Sequence, residues 1–206
     1  MLNKDRDIIL IGGAPTSGKS TNARLVAKHL DVPWISTDQI RDIMRVSANK
    51  QDWPELFNAY DFTGESFLTT NSTGEIVKKE VAQGKEAWIG IKYFIENDYT
   101  FEDGFVMEGV NILPELVAKD FKNNSHVKSV YLTEENESKI RDIVFTRGVW
   151  ADAHTYSDEV KEKEVDWILQ YSHYLKVEAE KYDFPTITVK KNEEDLQLLL
   201  RALGLK

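Results

Sequence analysis

The chain has 206 residues, of which 41% are hydrophobic and 30% charged, with a formal net charge of −9 and no cysteine. This composition is typical of a folded domain and argues against a disordered or fibrous chain. The acidic balance argues against binding to nucleic acid or to anionic membranes, and the lack of cysteine excludes disulfides and thiolate metal sites. We therefore expect one domain over residues 1–206, without a nucleic-acid or membrane partner.

The N-terminal stretch 1–7 is charged and leads straight into an apolar run, so we expect no signal peptide. Apolar runs elsewhere fall short of the ~20 residues that a membrane span needs. The absence of cysteine is compatible with a reducing compartment, and we expect a cytoplasmic protein.

Residues 8–11 form an apolar run that predicts a strand buried on both faces. The run leads into a segment that fits the phosphate-binding pattern G-x-x-x-x-G-K-[ST] and consists of Gly13, Ala14, Pro15, Thr16, Ser17, Gly18, Lys19 and Ser20. Its glycines would let backbone amides approach a β-phosphate, Lys19 would reach the β and γ oxygens, and Ser20 would offer a hydroxyl to Mg²⁺. The alternative is a glycine-rich turn that matches by chance. A strand before it and a helix from Thr21 to Leu30 after it favour a nucleotide site.

Residues 34–36 predict a second strand, with Ser36 or Thr37 as the N-cap of a helix that runs to about Ser47. Asp38, Arg41 and Arg45 are spaced i, i+3 and i+7, so they share one helix face. We expect Asp38 to act as a general base or hydrogen-bond acceptor, and the arginines to bind an anionic substrate group. The alternative is a first-turn acid that only stabilises the helix.

Residues 51–100 carry no recognisable catalytic motif, and we expect a helical segment on the substrate side. Apolar residues from Ile76 to Ile95 predict one long helix, or a pair of helices joined at Gly84. Aromatic residues at helical spacing in this block are interpreted as core.

Residues 105–109 predict a third buried strand, which ends in a carboxylate at Glu108. This position at the carboxyl end of a strand beside the phosphate-binding loop suits an acid of a magnesium shell. The alternative is a solvated glutamate. A turn then leads to a short predicted helix over 114–118.

A fourth predicted strand covers 127–132, and a helix follows with Thr133 as its N-cap and ends near Gly148. Arg141 and Arg147 are candidate nucleotide ligands on this helix, although six positions separate them by about 120°. The residues 148–156 then predict a mobile loop, so that 141–156 would form a lid-like segment. The alternative for the two arginines is a solvated basic patch.

The chain closes with a long predicted helix over 157–182, a short strand over 186–189 and a helix over 192–203. The four histidines show no metal-ligand spacing and are interpreted as structural. Strands that alternate with helices predict a three-layer α/β fold, in which a five-stranded parallel sheet has helices on both faces.

Three segments, GGAPTSGKST, STDQIRDIMR and MEGVNILP, resemble the small-molecule P-loop kinases of the 2-phosphoglycerate kinase type. More distantly they resemble the zeta-toxin, adenylylsulfate kinase and shikimate kinase branches. The resemblance implies that Asp38 and Arg41 meet an acceptor substrate and that Arg141 and Arg147 meet ATP.

The sequence therefore predicts an ATP- and Mg²⁺-dependent kinase that phosphorylates a hydroxyl of a small anionic metabolite. Lys19, Asp38, Arg41, Glu108 and Arg147 would be catalytic; residues 13–21 and Arg141 would bind the nucleotide; Asp38, Arg41 and Arg45 would bind the substrate; Ser20 and Glu108 would bind the metal. A nucleoside or nucleotide kinase, a zeta-toxin-like nucleotide-sugar kinase and a non-catalytic nucleotide-binding regulator remain alternatives. The acceptor, the base preference and the oligomeric state are left open.

Overall fold

A computed structural model describes residues 6–190 and 194–205 of the chain. Five parallel strands form one sheet in the order β2-β3-β1-β4-β5. The strands are β1 (Asp7–Gly13), β2 (Trp34–Ser36), β3 (Gly104–Gly109), β4 (Val127–Leu132) and β5 (Thr186–Ile187). The α-helices are α1 (Lys19–Leu30), α2 (Thr37–Ser47), α3 (Gly64–Thr70), α4 (Thr73–Asn97), α5 (Pro114–Phe121), α6 (Glu137–Arg147), α7 (Asp158–Lys181) and α8 (Glu194–Ala202).

Helices cover both faces of this sheet, because its central strands are apolar on both sides. On one face, Ile9 and Ile11 of β1 pack against α1 and α8. On the other face, Ile8 and Leu10 pack against α4, α5 and α7. The predicted three-layer α/β fold with a five-stranded parallel sheet is therefore confirmed.

The strand order places β1 in the middle, with β3 on one side and β4 on the other. Ile11 of β1 is in register with Glu108 of β3, so both strands end at the same edge of the sheet. The chain leaves β1 toward α1 on one face, whereas β3 leads into α5 on the other face. This reversal opens a crevice at the carboxyl ends of the strands, where α/β proteins bind ligands.

The segment predicted as one helix or a joined pair is a single helix, α4, which starts with a capping box between Ser72 and Glu75. Gly84 is not a break, because it lies in the middle of that helix. A Cβ atom at Gly84 would lie only 2.9 Å from Cδ1 of Leu113, so the missing side chain lets α4 approach the turn before α5. Close packing therefore explains this glycine.

The expectation that Thr133 caps the helix after β4 is wrong. The amide of Thr133 donates to the carbonyl oxygen of Ile187 (2.9 Å) and continues the sheet. The amide of Glu134 donates to the hydroxyl of Ser172 (2.9 Å), and α6 begins only at Glu137, where Asn136 supplies the cap. Contacts with distant residues hold this stretch extended for three more residues.

Other predicted boundaries differ by a few residues. Helix α1 begins at Lys19 rather than Thr21, α5 runs to Phe121, and β5 ends at Ile187. The predicted start of the last helix at Asn192 lies outside the described residues, as does the charged stretch 1–5. Within the described residues, none of the helices combines the length and the apolar character that crossing a membrane requires.

Candidate active site

The loop between β1 and α1 has the backbone geometry of a tight anion-binding turn. Thr16 and Gly18 both adopt positive φ angles, 66° and 85°, and the helix begins at the next residue, Lys19. Glycine tolerates such angles at little cost, which explains Gly18. A Cβ atom at Gly13 would lie 2.6 Å from the carbonyl oxygen of Leu132, so the loop lies directly against β4.

This loop presents polar groups that the protein itself does not satisfy. The hydroxyls of Thr16 and Ser17 are buried and make no hydrogen bond within the described part of the chain. The first amides of α1 lack carbonyl partners within the helix, as at any helix start, and they carry the positive end of the helix dipole. Buried unsatisfied donors of this kind are costly unless a ligand accepts from them, and a phosphate group fits them.

Lys19 lies inside the loop, where its amino group approaches the carbonyl oxygen of Ala14 at 3.4 Å. Burial lowers the pKa of Lys19, while the nearby carboxylates of Glu108 and Asp38 oppose the shift. The ammonium group is therefore poorly hydrated, and an incoming phosphate would meet it with little competition from water.

Ser20 and Glu108 meet at the base of the loop. The hydroxyl of Ser20 donates to Oε2 of Glu108 at 3.1 Å, and Glu108 is 3% exposed. Burial raises the pKa of Glu108, and the charge of Lys19 counteracts that shift. Two adjacent oxygen ligands suit Mg²⁺, which binds proteins through one or two side chains plus phosphate and water. No larger cluster of acidic or histidine side chains occurs in residues 6–190 and 194–205, so phosphate oxygens would have to complete the shell.

The start of α2 lies beside this pair of oxygens. Ser36 is in register with Glu108 and caps α2 by accepting from the amide of Asp38 (3.3 Å). A Cβ atom at Gly109 would lie 1.7 Å from Oγ1 of Thr37, so only glycine lets the end of β3 approach the helix this closely. Asp38 is thereby brought close enough to affect the pKa of both Lys19 and Glu108.

Asp38 and Arg41 come together as the sequence predicts. Nη1 of Arg41 lies 3.0 Å from Oδ1 of Asp38, and the same nitrogen donates to Oε1 of Gln83 on α4 at 3.2 Å. The side chain of Asp38 is 49% exposed and that of Arg41 is 18% exposed. The Asp38 carboxylate is therefore accessible from the cleft, while the Arg41 guanidinium is fixed by its hydrogen bond to Gln83 of α4.

Arg45 has a different environment from the one that we expected. Its Nε donates to the carbonyl oxygen of Leu56 (2.7 Å), its Nη1 pairs with Asp42 (2.9 Å), and its guanidinium carbon lies 5.5 Å from the ring centre of Tyr60. Burial and the neighbouring charge of Arg41 lower its pKa. The donors of Arg45 thus tie α2 to the segment that follows it, so the expected meeting of all three side chains is found only for Asp38 and Arg41. That these two residues bind a substrate stays a prediction.

Two polar residues of α4, neither of which we predicted as a site residue, also lie at the cleft. Gln83 is 4% exposed and contacts Arg41, while Glu80 lies one turn earlier. Burial raises the pKa of Glu80 to about 7, against the opposing effect of the Arg41 charge. The sequence does contain a signal for them. Ile76, Glu80, Gln83 and Ala87 are four, three and four positions apart, so they share one face of the helix, and Glu80 and Gln83 are the two polar residues on that otherwise apolar face.

The two arginines of the predicted lid-like segment, Arg141 and Arg147, lie in different surroundings. Arg147 lines the cleft over the loop together with Thr16, Gly18, Lys19, Ser20, Thr21 and Ile143. Arg141 instead pairs with Glu137 at 2.6 Å and with Glu162 of α7. The separation of about 120° on a continuous helix explains why both cannot face one phosphate, and Arg147 is the one beside the loop.

The segment 148–156, which the sequence predicted as a mobile loop, is packed in this structure. Trp150 contacts the rings of Phe67 on α3 and Trp167 on α7, with ring centres 6.1 and 5.8 Å apart. Ala153–Thr155 forms a single 3₁₀ turn within it. This packing fixes the direction in which the chain leaves Arg147.

Three of the histidines make polar contacts, and the first is His154, whose Nδ1 lies 3.2 Å from the carbonyl oxygen of Ala151. Nδ1 of His126 lies 3.7 Å from Asp7, and Nδ1 of His173 lies 3.4 Å from Glu135. The interpretation of the histidines as structural stays a prediction.

Comparison with known proteins supports the resemblance. The chain is 29% identical over 142 residues to a 2-phosphoglycerate kinase of Methanocaldococcus jannaschii, and the match covers 68% of this chain and 46% of that protein. It is 32% identical over 144 residues to a 2-phosphoglycerate kinase of Methanococcus vannielii, covering 66% of this chain and 46% of the relative. The chain thus spans about half the length of the curated relatives that it matches. No family model matches it.

A solved shikimate kinase from Aquifex aeolicus superposes with a TM-score of 0.51 at 17% identity, over 95% of each chain. At this identity the likeness establishes the fold alone. The fold is therefore that of the P-loop kinases, and the expected resemblance to 2-phosphoglycerate kinases is confirmed.

Proposed function

We propose that this protein is a kinase that transfers the γ-phosphoryl group of ATP to a hydroxyl of a small anionic metabolite, with 2-phosphoglycerate as the first candidate. The observation that supports it most is the hydrogen bond between Ser20 and Glu108 beside Lys19. Phosphoryl transfer depends on positioning and on charge stabilisation, and this arrangement supplies both around the phosphate-binding loop.

The phosphate-binding loop would hold the nucleotide through the amides at the start of α1 and the hydroxyls of Thr16 and Ser17. Lys19 and Arg147 both line the cleft over the loop, and they would offset the charge that develops on the transferred group. A bound Mg²⁺ would supply Lewis-acid stabilisation of phosphate oxygens, and Ser20 and Glu108 are the side chains that fit it.

Asp38 is the candidate general base for the acceptor hydroxyl. It lies in the first turn of α2 with a side chain that is 49% exposed, and its Oδ1 lies 3.0 Å from Nη1 of Arg41. Removing a proton from the attacking oxygen as the bond to phosphorus forms is the task that such a carboxylate performs in kinases.

Arg41 is also the reason to propose an anionic acceptor. The protein carries a net charge of −9, so an anion must be attracted by a local cation, and a guanidinium group binds carboxylate or phosphate in a bidentate manner. The names of the matched relatives make 2-phosphoglycerate the first compound to test. The match covers 46% of each of those proteins.

The test is an ADP-release assay with Mg²⁺-ATP against a panel containing 2-phosphoglycerate, other phosphorylated and carboxylated metabolites, nucleosides, nucleotides and UDP-sugars. The proposal predicts that an anionic metabolite stimulates release. Stimulation only by a nucleoside, a nucleotide or a UDP-sugar would favour those rival kinases. ATP binding without stimulation by any compound would favour a non-catalytic regulator.

A further inference from the structure

A buried carboxylate lies behind the end of α6, outside the cleft described above. Glu164 of α7 has no exposed surface. Its Oε1 accepts a hydrogen bond from the amide of Val149 at 2.7 Å. Its Oε2 is also buried and makes no hydrogen bond within the residues that the structure describes. Glutamate is rarely buried without a cation or several donors around it, so this position needs an explanation.

Glu164 lies at the turn that ends α6. The amide of Gly148 donates to the carbonyl oxygen of Val144 (2.8 Å) and completes the helix, and Gly148 then takes a φ angle of +64°. A Cβ atom at Gly148 would lie 2.0 Å from Cβ of Ala153 and 3.7 Å from Oε2 of Glu164. The turn is therefore enclosed between the 148–156 segment and the Glu164 carboxyl group.

Arg147, which lines the cleft over the phosphate-binding loop, immediately precedes this turn. The backbone conformation of Gly148 and Val149 fixes the end of α6, and with it the position of the Arg147 side chain. The bond from Val149 to Glu164 links that conformation to the long helix α7. Helix α7 also packs against α4 and α5. The bond from Val149 to Glu164 therefore connects the turn to helices in the interior of the fold.

The charged and titratable groups that face Glu164 are Arg147 from α6, Asp152 and Tyr156 from the 148–156 segment, and Lys161 from α7 itself. Burial raises the pKa of Glu164 to about 7, and the Val149 amide opposes that shift. The carboxylate of Asp152, the other acid in this group, accepts a hydrogen bond from the hydroxyl of Tyr156 at 2.7 Å. Because burial outweighs these effects, the carboxyl group of Glu164 is neutral in mild acid and takes on a buried charge in mild base, with Lys161 and Arg147 as the cations that face it.

We propose that Glu164 is a positioning residue of the nucleotide site, and that its carboxyl group fixes the Gly148–Val149 turn and so holds Arg147 over the phosphate-binding loop. The role of Arg147 rests on the proposed function, whereas the hold on the turn does not. Ionisation of Glu164 strengthens the bond from the Val149 amide, but the cost of burying the charge is the larger effect. It favours conformations in which the turn opens and the carboxylate reaches water, and Arg147 is then held less firmly.

The first test follows the turn without any ligand. The ¹⁵N–¹H resonance of Val149 is recorded from about pH 5.5 to about pH 8.5 in the wild type, in Glu164→Gln and in the control Asp166→Asn, an exposed acid of the same helix. We expect an inflection near pH 7 in the wild type and in the control, and none in Glu164→Gln. A flat wild-type profile, or an inflection that survives in Glu164→Gln, would overturn the proposal.

The second test asks whether the hold reaches the nucleotide. The Kd of Mg²⁺-ADP is measured by calorimetry at about pH 6 and about pH 8. We expect it to rise at least threefold with pH in the wild type and in Asp166→Asn, but to change little in Glu164→Gln, which keeps an acceptor for Val149 without a charge. A purely structural Glu164 would lower the unfolding midpoint of its variants and leave the pH dependence of Kd unaltered, which would contradict the proposal.

Circular dichroism of each variant establishes that it is folded before its Kd is interpreted. A wild type that binds no ADP at either pH would overturn the proposed function, and the role of Arg147 in this proposal with it. The Val149 profile would then still decide whether Glu164 holds the turn, so the two failures are distinguishable.

Discussion

Ser20 and Glu108 are 88 positions apart in the chain, yet the hydroxyl of Ser20 donates to the carboxylate of Glu108 at 3.1 Å. The parallel register of β1 and β3 ends both strands at the same edge of the sheet, and α1, which begins beside that edge, packs against β3 and brings Ser20 to Glu108. This contact brings together the two side-chain oxygens that we propose as ligands of Mg²⁺. The same edge of the sheet holds Lys19 on α1 and Asp38 on α2, so the site is a product of strand order.

Asp38→Asn should reduce kcat far more than it changes the KM for ATP. An amide cannot accept the proton of the acceptor hydroxyl, while its size and its place at the start of α2 are kept. The matched control is Asp42→Asn, an exposed acid of the same helix that also pairs with Arg41. Steady-state kinetics of both variants provide the test; equal kcat values for the two would mean that Asp38 is only a helix-start acid.

Arg41→Ala should raise the KM for the acceptor at least tenfold, a loss of about 1.4 kcal/mol, with little change in the KM for ATP. Gln83→Leu should act in the same direction but more weakly, because it removes the 3.2 Å bond that holds the guanidinium from behind. Kinetics with a saturating second substrate measure both effects. An acceptor KM that is unaltered in Arg41→Ala would refute an anionic acceptor bound at this arginine.

Arg45→Ala should behave differently from Arg41→Ala. Its Nε bond to the carbonyl oxygen of Leu56 and its contact with Tyr60 are structural, so we expect a lower free energy of unfolding, by about 1 to 3 kcal/mol. The KM for the acceptor should remain within about twofold of the wild-type value. Denaturant titration and kinetics on the same preparation separate the two outcomes, and a large rise in acceptor KM at unchanged stability would restore Arg45 to the substrate site.

Glu80→Gln should make the protein more stable than the wild type in mild base. Burial raises the pKa of Glu80 in the folded state to about 7, well above its ordinary value, so the wild type loses stability as the pH rises from about 4.5 through about 7. A neutral glutamine avoids this loss, and the difference should approach about 3 kcal/mol above pH 7. Urea unfolding at about pH 5 and about pH 8 tests it, and an identical stability difference at both pH values would exclude the raised pKa.

Much of the fold follows from local signals. The phosphate-binding loop, β2 and the cap at Ser36 are each encoded by a few neighbouring residues, and the sequence predicts them almost to the residue. Thr133 shows the opposite case: its sequence resembles a helix cap, but its amide completes the sheet through Ile187, a partner 54 positions away. A contact of that kind leaves no local pattern.

The residues of the candidate site also include some that local spacing predicts and some that only tertiary packing determines. Asp38 and Arg41 share one helix and could be paired from their spacing, whereas Arg45, at the same kind of spacing, is captured by the carbonyl oxygen of Leu56. Gln83 and Glu80 enter the cleft only because α4 packs across α2. The choice of Arg147 over Arg141 depends on which side of α6 faces the loop, and this is settled by tertiary packing.

The most direct measurement of the central claim is acceptor-stimulated ADP release by the wild type and by Lys19→Ala, with Lys28→Ala, an exposed lysine of the same helix, as the matched control. Lys19→Ala removes the ammonium group from the phosphate-binding loop and should lower turnover by about a thousandfold or more, with an unchanged circular dichroism spectrum. Lys28→Ala should keep wild-type turnover. Stimulated release that persists at the wild-type rate in folded Lys19→Ala would contradict the account of this protein as a P-loop kinase.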